Sequence, residues 1–127
     1  MEDWRIKISV LWIFMTLAAL TTSILMLMEP GVLDGIMAGE VLGMQITPEI
    51  LLIAAIERLV PLVMAFLSLT LKDSMNRWSN IIVGIVYTAL SIISLNGASA
   101  QMILMWVSAA VATALIVWYA WKFKRNV

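Results

Sequence analysis

The sequence predicts an all-α, polytopic membrane protein: an antiparallel bundle of four transmembrane helices with a short amphipathic segment between helices 1 and 2. Three observations carry that reading. Apolar residues make up 63% of the 127-residue chain and its mean hydropathy is +1.02, against an apolar share of about 45–50% in soluble domains. Four apolar stretches, Ile8–Met28, Ile50–Leu71, Ile81–Leu95 and Met102–Trp121, meet or approach the roughly 20 residues that carry a helix across the hydrocarbon layer. The cations outside those stretches fall only on alternate connecting segments. Barrel strands would read as short alternating segments of about ten residues, and these runs are continuous, so helices are expected. The whole of 1–127 reads as one domain, with spans at about 8–28, 49–71, 78–96 and 100–121.

Each element has a local reason. Span one is longer than the apolar region of a cleaved leader, and Glu2 and Asp3 dilute the charge before it, so retention as a membrane helix is expected. Pro30-Gly31 ends it. Val32, Leu33, Ile36, Met37 and Val41 then recur at helical spacing, which predicts a short amphipathic helix over 32–41, lying on the outer surface or capping the bundle. Gly35, Gly39 and Gly43 weaken that helix. Thr47-Pro48-Glu49 reads as N-cap, N1 proline and an acid at the positive helix end, which starts span two. Asp73 or Ser74 is the expected cap of span three. Asn96-Gly97 is turn chemistry and predicts a tight hairpin between spans three and four.

Charge sets the expected orientation. Arg5, Lys7, Lys72, Arg77, Lys122, Lys124 and Arg125 all lie on one side of a four-span map. The positive-inside rule makes that side cytoplasmic, so a multi-pass protein of the cell membrane with both termini inside is expected. Trp4, Trp12, Trp78, Trp118, Tyr119 and Trp121 gather near the same boundary and read as interfacial anchors, because an indole or phenol ring is half apolar and half wet. Trp106 and Tyr87 stand apart and are candidates for a pocket.

Glu57 and Arg58 are the exception within the spans. They lie about eight residues, or roughly 12 Å, inside the outer end of span two. A charge near the bilayer centre costs about 2.5–3.5 kcal/mol on insertion scales, so lipid-facing placement is disfavoured for both. Pro61 offers no N–H to the Glu57 carbonyl, so a helix kink and a free carbonyl are expected beside the acid. At matching depth stand Thr21, Thr22, Thr88, Ser91 and Ser108. With Glu57 and Arg58 they compose a candidate ligand or ion site. The competing reading is a salt bridge that fixes helix register. Small residues spaced by four, Gly84/Thr88 and Ser108/Ala112 among them, supply close-packing faces.

The inventory excludes much chemistry. With no Cys and no His there is no disulfide, no thiol nucleophile and no His-assisted nucleophile. No metal site and no cofactor are expected, and the ten methionines read as flexible filler. No nucleotide-binding signature appears, and nucleic acid is not an expected partner. The basic segment Lys122-Phe123-Lys124-Arg125 suits anionic headgroups, so membrane lipids are expected partners.

Leu11-Trp12-Ile13-Phe14, Met44-Gln45-Ile46-Thr47, Pro61 with Leu67-Ser68, Asn76-Arg77-Trp78 followed by Asn80, and Trp118-Tyr119-Ala120-Trp121 span nearly the whole chain. In these the sequence resembles small prokaryotic four-span integral membrane proteins grouped as a domain of unknown function. The resemblance implies four helices and a cell-membrane location, and no activity. The acid of that family's second span stands nearer the proline than Glu57 does to Pro61, so no role passes to Glu57.

Three classes of function stay open. The first is binding or transport of a small zwitterionic or anionic solute through a mid-membrane polar site around Glu57 and Arg58. The second is an accessory or scaffolding protein whose charged pair is structural. The third is a membrane enzyme acting on lipid or quinone. The reading favours the first and expects no enzyme. Four spans enclose little volume, so a homo-oligomer, with a dimer favoured, is expected.

Overall fold

The structure, a computed structural model, describes residues 3–41 and 43–123. Five helices run as α1 (Asp3–Leu27), α2 (Val32–Met37), α3 (Pro48–Thr70), α4 (Asp73–Ile93) and α5 (Ala100–Phe123). Between α2 and α3, β1 (Glu40–Val41) and β2 (Met44–Gln45) form a minimal antiparallel hairpin pairing Glu40 with Gln45. The fold class is all-α. Helices α1, α3 and α5 are long and apolar enough to cross a membrane. Helix α4 falls short of that measure, because Asn76, Arg77 and Asn80 sit in its first half. Lys124 and Arg125 lie outside the described residues.

Local chemistry explains most boundaries. Thr47 is extended, its hydroxyl accepts from the Ile50 N–H at 3.2 Å, and Pro48 opens α3. Gly97 turns the chain between α4 and α5 with φ of 73°. Two expectations change. The helix expected over 32–41 stops at Met37, because Gly39 adopts φ of 88° and its carbonyl accepts from the Ile46 N–H at 2.8 Å, which turns the chain into the hairpin. Neither Asp73 nor Ser74 caps α4. Lys72 holds that position without a side-chain bond, and Asp73 pairs with Arg5 instead.

Helix α5 packs between α1 and α4, and α1 packs its other side on α3. Consecutive helices α3 and α4 barely meet. Contacts at the two ends make neighbours antiparallel. At one end Arg5 of α1 donates to the Leu71 carbonyl at 2.8 Å, where α3 ends. At the other, Glu29 just past α1 accepts from Ser99 and Gln101 at the start of α5, at 2.6 and 3.1 Å. The α4–α5 seam is the tightest. A methyl on Gly84 would stand 2.7 Å from Val117 Cγ2, and the Thr88 and Thr113 hydroxyls hydrogen-bond at 2.7 Å.

The surface is inverted relative to a soluble protein. Leu17, Leu20, Leu52, Ile56, Phe66 and Ile85 are all exposed, while Asn76, Asn80, Ser68 and Thr113 are fully buried.

Candidate functional site

Glu57 and Arg58 sit on α3 and line a cleft of about 330 Å³. Its walls are Met15, Thr16, Ala19, Leu20 and Ser23 of α1, Pro61 and Leu62 of α3, Tyr87 of α4 and Trp106 of α5. Arg58 Nη1 donates to the Ala19 carbonyl at 2.9 Å, a turn where the Ser23 hydroxyl also donates at 3.1 Å. The Glu57–Arg58 ion pair is loose, at 3.9 Å, and the two side chains are 44% and 42% exposed. A directly satisfied pair would sit about 2.7–2.9 Å apart. Both charges therefore keep unused capacity facing the cleft.

Pro61 creates the second feature. Helix α3 runs through it, and the carbonyl it cannot satisfy is that of Glu57. The Tyr87 hydroxyl donates to that carbonyl at 2.6 Å. The proline thus orients a tyrosine from α4, across the seam where α3 and α4 otherwise separate. Tyr87 in turn meets the Trp12 ring edge-on, with centroids 6.0 Å apart.

The remaining site candidates do not join this cleft. Thr21, Thr22, Ser91 and Ser108 donate to carbonyls four residues back on their own helices. Thr88 does the same and also reaches Thr113. Matching depth did not bring them together, because a hydroxyl in an apolar helix finds its nearest acceptor one turn back. Thr16 and Ser23 stand on the cleft in their place. Trp106 and Tyr87, singled out in the sequence, both line it.

Sequence reasoning missed a larger polar assembly below the cleft. Trp12, read as an interfacial anchor, is wholly buried, and its indole N–H donates to Asn80 Oδ1 at 2.7 Å. Ser68 donates to the same oxygen at 3.2 Å. The Asn80 amide donates to Asn76, and the Asn76 amide to the Ser68 carbonyl at 2.8 Å. Ser9 of α1 adds a bond to the Ala65 carbonyl at 2.8 Å. The signal was available: two asparagines four apart occupy one face of a helix whose exposed residues from Met75 onward are apolar, and buried amides need hydrogen-bond partners that only the packed side of that helix supplies.

Beside Asn76 on α4 lies Arg77, only 7% exposed. Its guanidinium carbon is 4.6 Å from the Trp78 ring and 5.2 Å from the Trp121 ring. Among the described residues, Nε and Nη2 have no hydrogen-bond partner. Each cation–π contact contributes about 0.5–2 kcal/mol. Burying the charge costs several kcal/mol, and each unmet donor adds about 1–3. The rings alone do not balance this charge. Trp78, Trp118 and Trp121 remain about half exposed at this end, Lys122 lies over Trp118, and Lys7 lies over Tyr119. Trp4 is half-buried, with Arg5 over its ring.

A family model covers residues 2–127. The chain belongs to DUF6326, a family of unknown function. No curated protein and no solved structure matches it. Membership in DUF6326 therefore leaves the chemistry to the residues. The cleft holds one cation, one anion, a phenol and an apolar wall; it can hold a small molecule by charge and stacking.

Proposed function

We propose that this is a four-span protein of the cell membrane that binds a small zwitterionic or anionic solute in the Glu57–Arg58 cleft, as a step in moving it across the bilayer. The observation that carries this reading is the loose, half-exposed ion pair on one wall of an otherwise apolar cleft. Charges left this way in lipid would cost about 2.5–3.5 kcal/mol each. A zwitterion offers both a new partner, with its anionic group at Arg58 and its cationic group at Glu57. Leu20, Leu62 and Trp106 suit its apolar part. The volume lies at the small end of the roughly 300–1,000 Å³ typical of ligand pockets, which suits a solute of few atoms.

Helix α4 serves as the fourth span in this reading. From Met75 onward its exposed residues are apolar, while Asn76, Arg77, Asn80 and Ser91 are buried. A water-facing helix would place them the other way round. Charge segregation supports inside termini: Arg5, Lys7, Lys72, Arg77 and Lys122 cluster at one end, and Glu29, Asp34, Glu40 and Glu49 belong to the other.

A second reading draws on the parted α3 and α4. Ile53, Ile56, Val60, Ile82 and Val86 line an open groove of about 370 Å³ there. That groove favours association with another subunit or protein, in which the charged pair sets register.

Native mass spectrometry of protein released from nanodiscs, for wild type, Glu57→Gln and Arg58→Gln, tests the two. A retained small molecule lost in both variants at constant subunit number is the expected result. An empty wild type whose oligomer dissociates in the variants would replace binding by assembly.

A further inference from the structure

We propose that Arg77 heads a phosphate-binding site at the cation-rich end of the molecule, distinct from the Glu57–Arg58 cleft and independent of its function. The chemistry it recognises is a phosphate oxyanion, carried either by an anionic lipid headgroup or by a soluble phosphate.

Arg77 lacks the counter-charge its position offers. Asp73 and Arg77 are four residues apart on α4, the spacing at which an acid and an arginine pair along a helix. Asp73 is taken instead by Arg5 from α1, which also holds the Leu71 carbonyl. Arg77 is left over 90% buried with Nε and Nη2 unpartnered among the described residues. Those two nitrogens form one edge of the guanidinium fork, the edge that grips two oxygens of a carboxylate or phosphate at once.

The surroundings select an anion and a location. Arg5, Lys7, Lys72, Arg77 and Lys122 meet at this end with only Asp3 and Asp73 as described acids. Among the described residues, no carboxylate pairs with Arg77. The guanidinium lies against the half-exposed indoles of Trp78 and Trp121, and indoles sit at headgroup depth, where lipid phosphates lie. Rotation of one indole admits the phosphate to the buried edge. Binding is then coupled to tryptophan environment, which makes it visible.

The experiment uses full-length protein, delipidated in a neutral detergent. Phosphatidylglycerol, phosphatidylcholine and inorganic phosphate are added separately. Native mass spectrometry counts bound molecules, and tryptophan emission follows the indoles. Wild type is expected to bind phosphatidylglycerol or inorganic phosphate with an emission change. Arg77→Gln is expected to lose both responses, while Glu57→Gln keeps them. Arg77→Lys keeps the charge without the fork and binds about tenfold more weakly, a difference of about 1.4 kcal/mol; it stands in if Arg77→Gln does not fold. Preference for phosphatidylglycerol over inorganic phosphate assigns the lipid source, and the reverse assigns a soluble one. Equal binding by wild type and folded Arg77 variants, or no binding of either phosphate by wild type, overturns the proposal.

Discussion

Replacing Tyr87 by Phe removes one hydroxyl and keeps the ring against Trp12. The hydroxyl is the donor to the Glu57 carbonyl that Pro61 leaves without a backbone partner. Leaving a shielded carbonyl unpaired costs about 1–3 kcal/mol. Measured hydrogen bonds between membrane helices average nearer 0.6 kcal/mol. The expected loss for Tyr87→Phe is therefore about 1–2 kcal/mol, from the upper part of one range and the lower part of the other. The same change in a Pro61→Ala background has a different outcome. An alanine in place of the proline restores an N–H four residues on, so the Glu57 carbonyl has its helical donor. Losing the Tyr87 hydroxyl then leaves no orphan, and the cost falls to about 0.5 kcal/mol. The coupling between the two positions is about 1 kcal/mol. Unfolding in mixed micelles of increasing SDS content, followed by far-UV circular dichroism, measures all four corners of the cycle. An equal cost for Tyr87→Phe in both backgrounds would refute the link between proline and tyrosine.

Asn80→Leu deletes the acceptor of the Trp12 indole N–H and leaves that donor buried, while Ser68 keeps the Met64 carbonyl at 2.7 Å, so the change is expected to destabilise by about 1–3 kcal/mol. The same micelle titration checks it, and near-wild-type stability would mean the network is dispensable. Gly84→Leu meets Val117 across the tight α4–α5 seam and is expected to cost at least about 1–3 kcal/mol through overpacking. Paired spin labels on α4 and α5 should report a longer distance between the helices; an unchanged distance with unchanged stability would contradict this packing.

Helix existence was legible in the chain because continuous apolar runs and their end signals are local. Thr47-Pro48 capped α3 and Asn96-Gly97 turned α4 into α5, since each motif acts within a few residues. The 32–41 segment shows the limit: one glycine at positive φ ended the helix early, and apolar periodicity does not report φ. The site was half legible. Glu57, Arg58, Pro61, Tyr87 and Trp106 drew notice by chemistry, and all five line the cleft. The hydroxyls counted in by depth did not join it, because depth says nothing about helix rotation and their own backbones satisfied them first.

By itself the sequence determined that apolar helices dominate this protein, how α3 starts at Thr47-Pro48, where the chain turns from α4 into α5, and that its cations lie on alternate segments, because composition, capping and turn chemistry are short-range properties. Only the tertiary structure decided which faces meet. It gave the Glu57 carbonyl to Tyr87, drew Trp12 from the expected interface to Asn80, and left Arg77 without its carboxylate by assigning Asp73 to Arg5. Those outcomes depend on the rotation and order of helices distant in sequence. Helix rotation is set by many weak contacts together, and no single residue announces it.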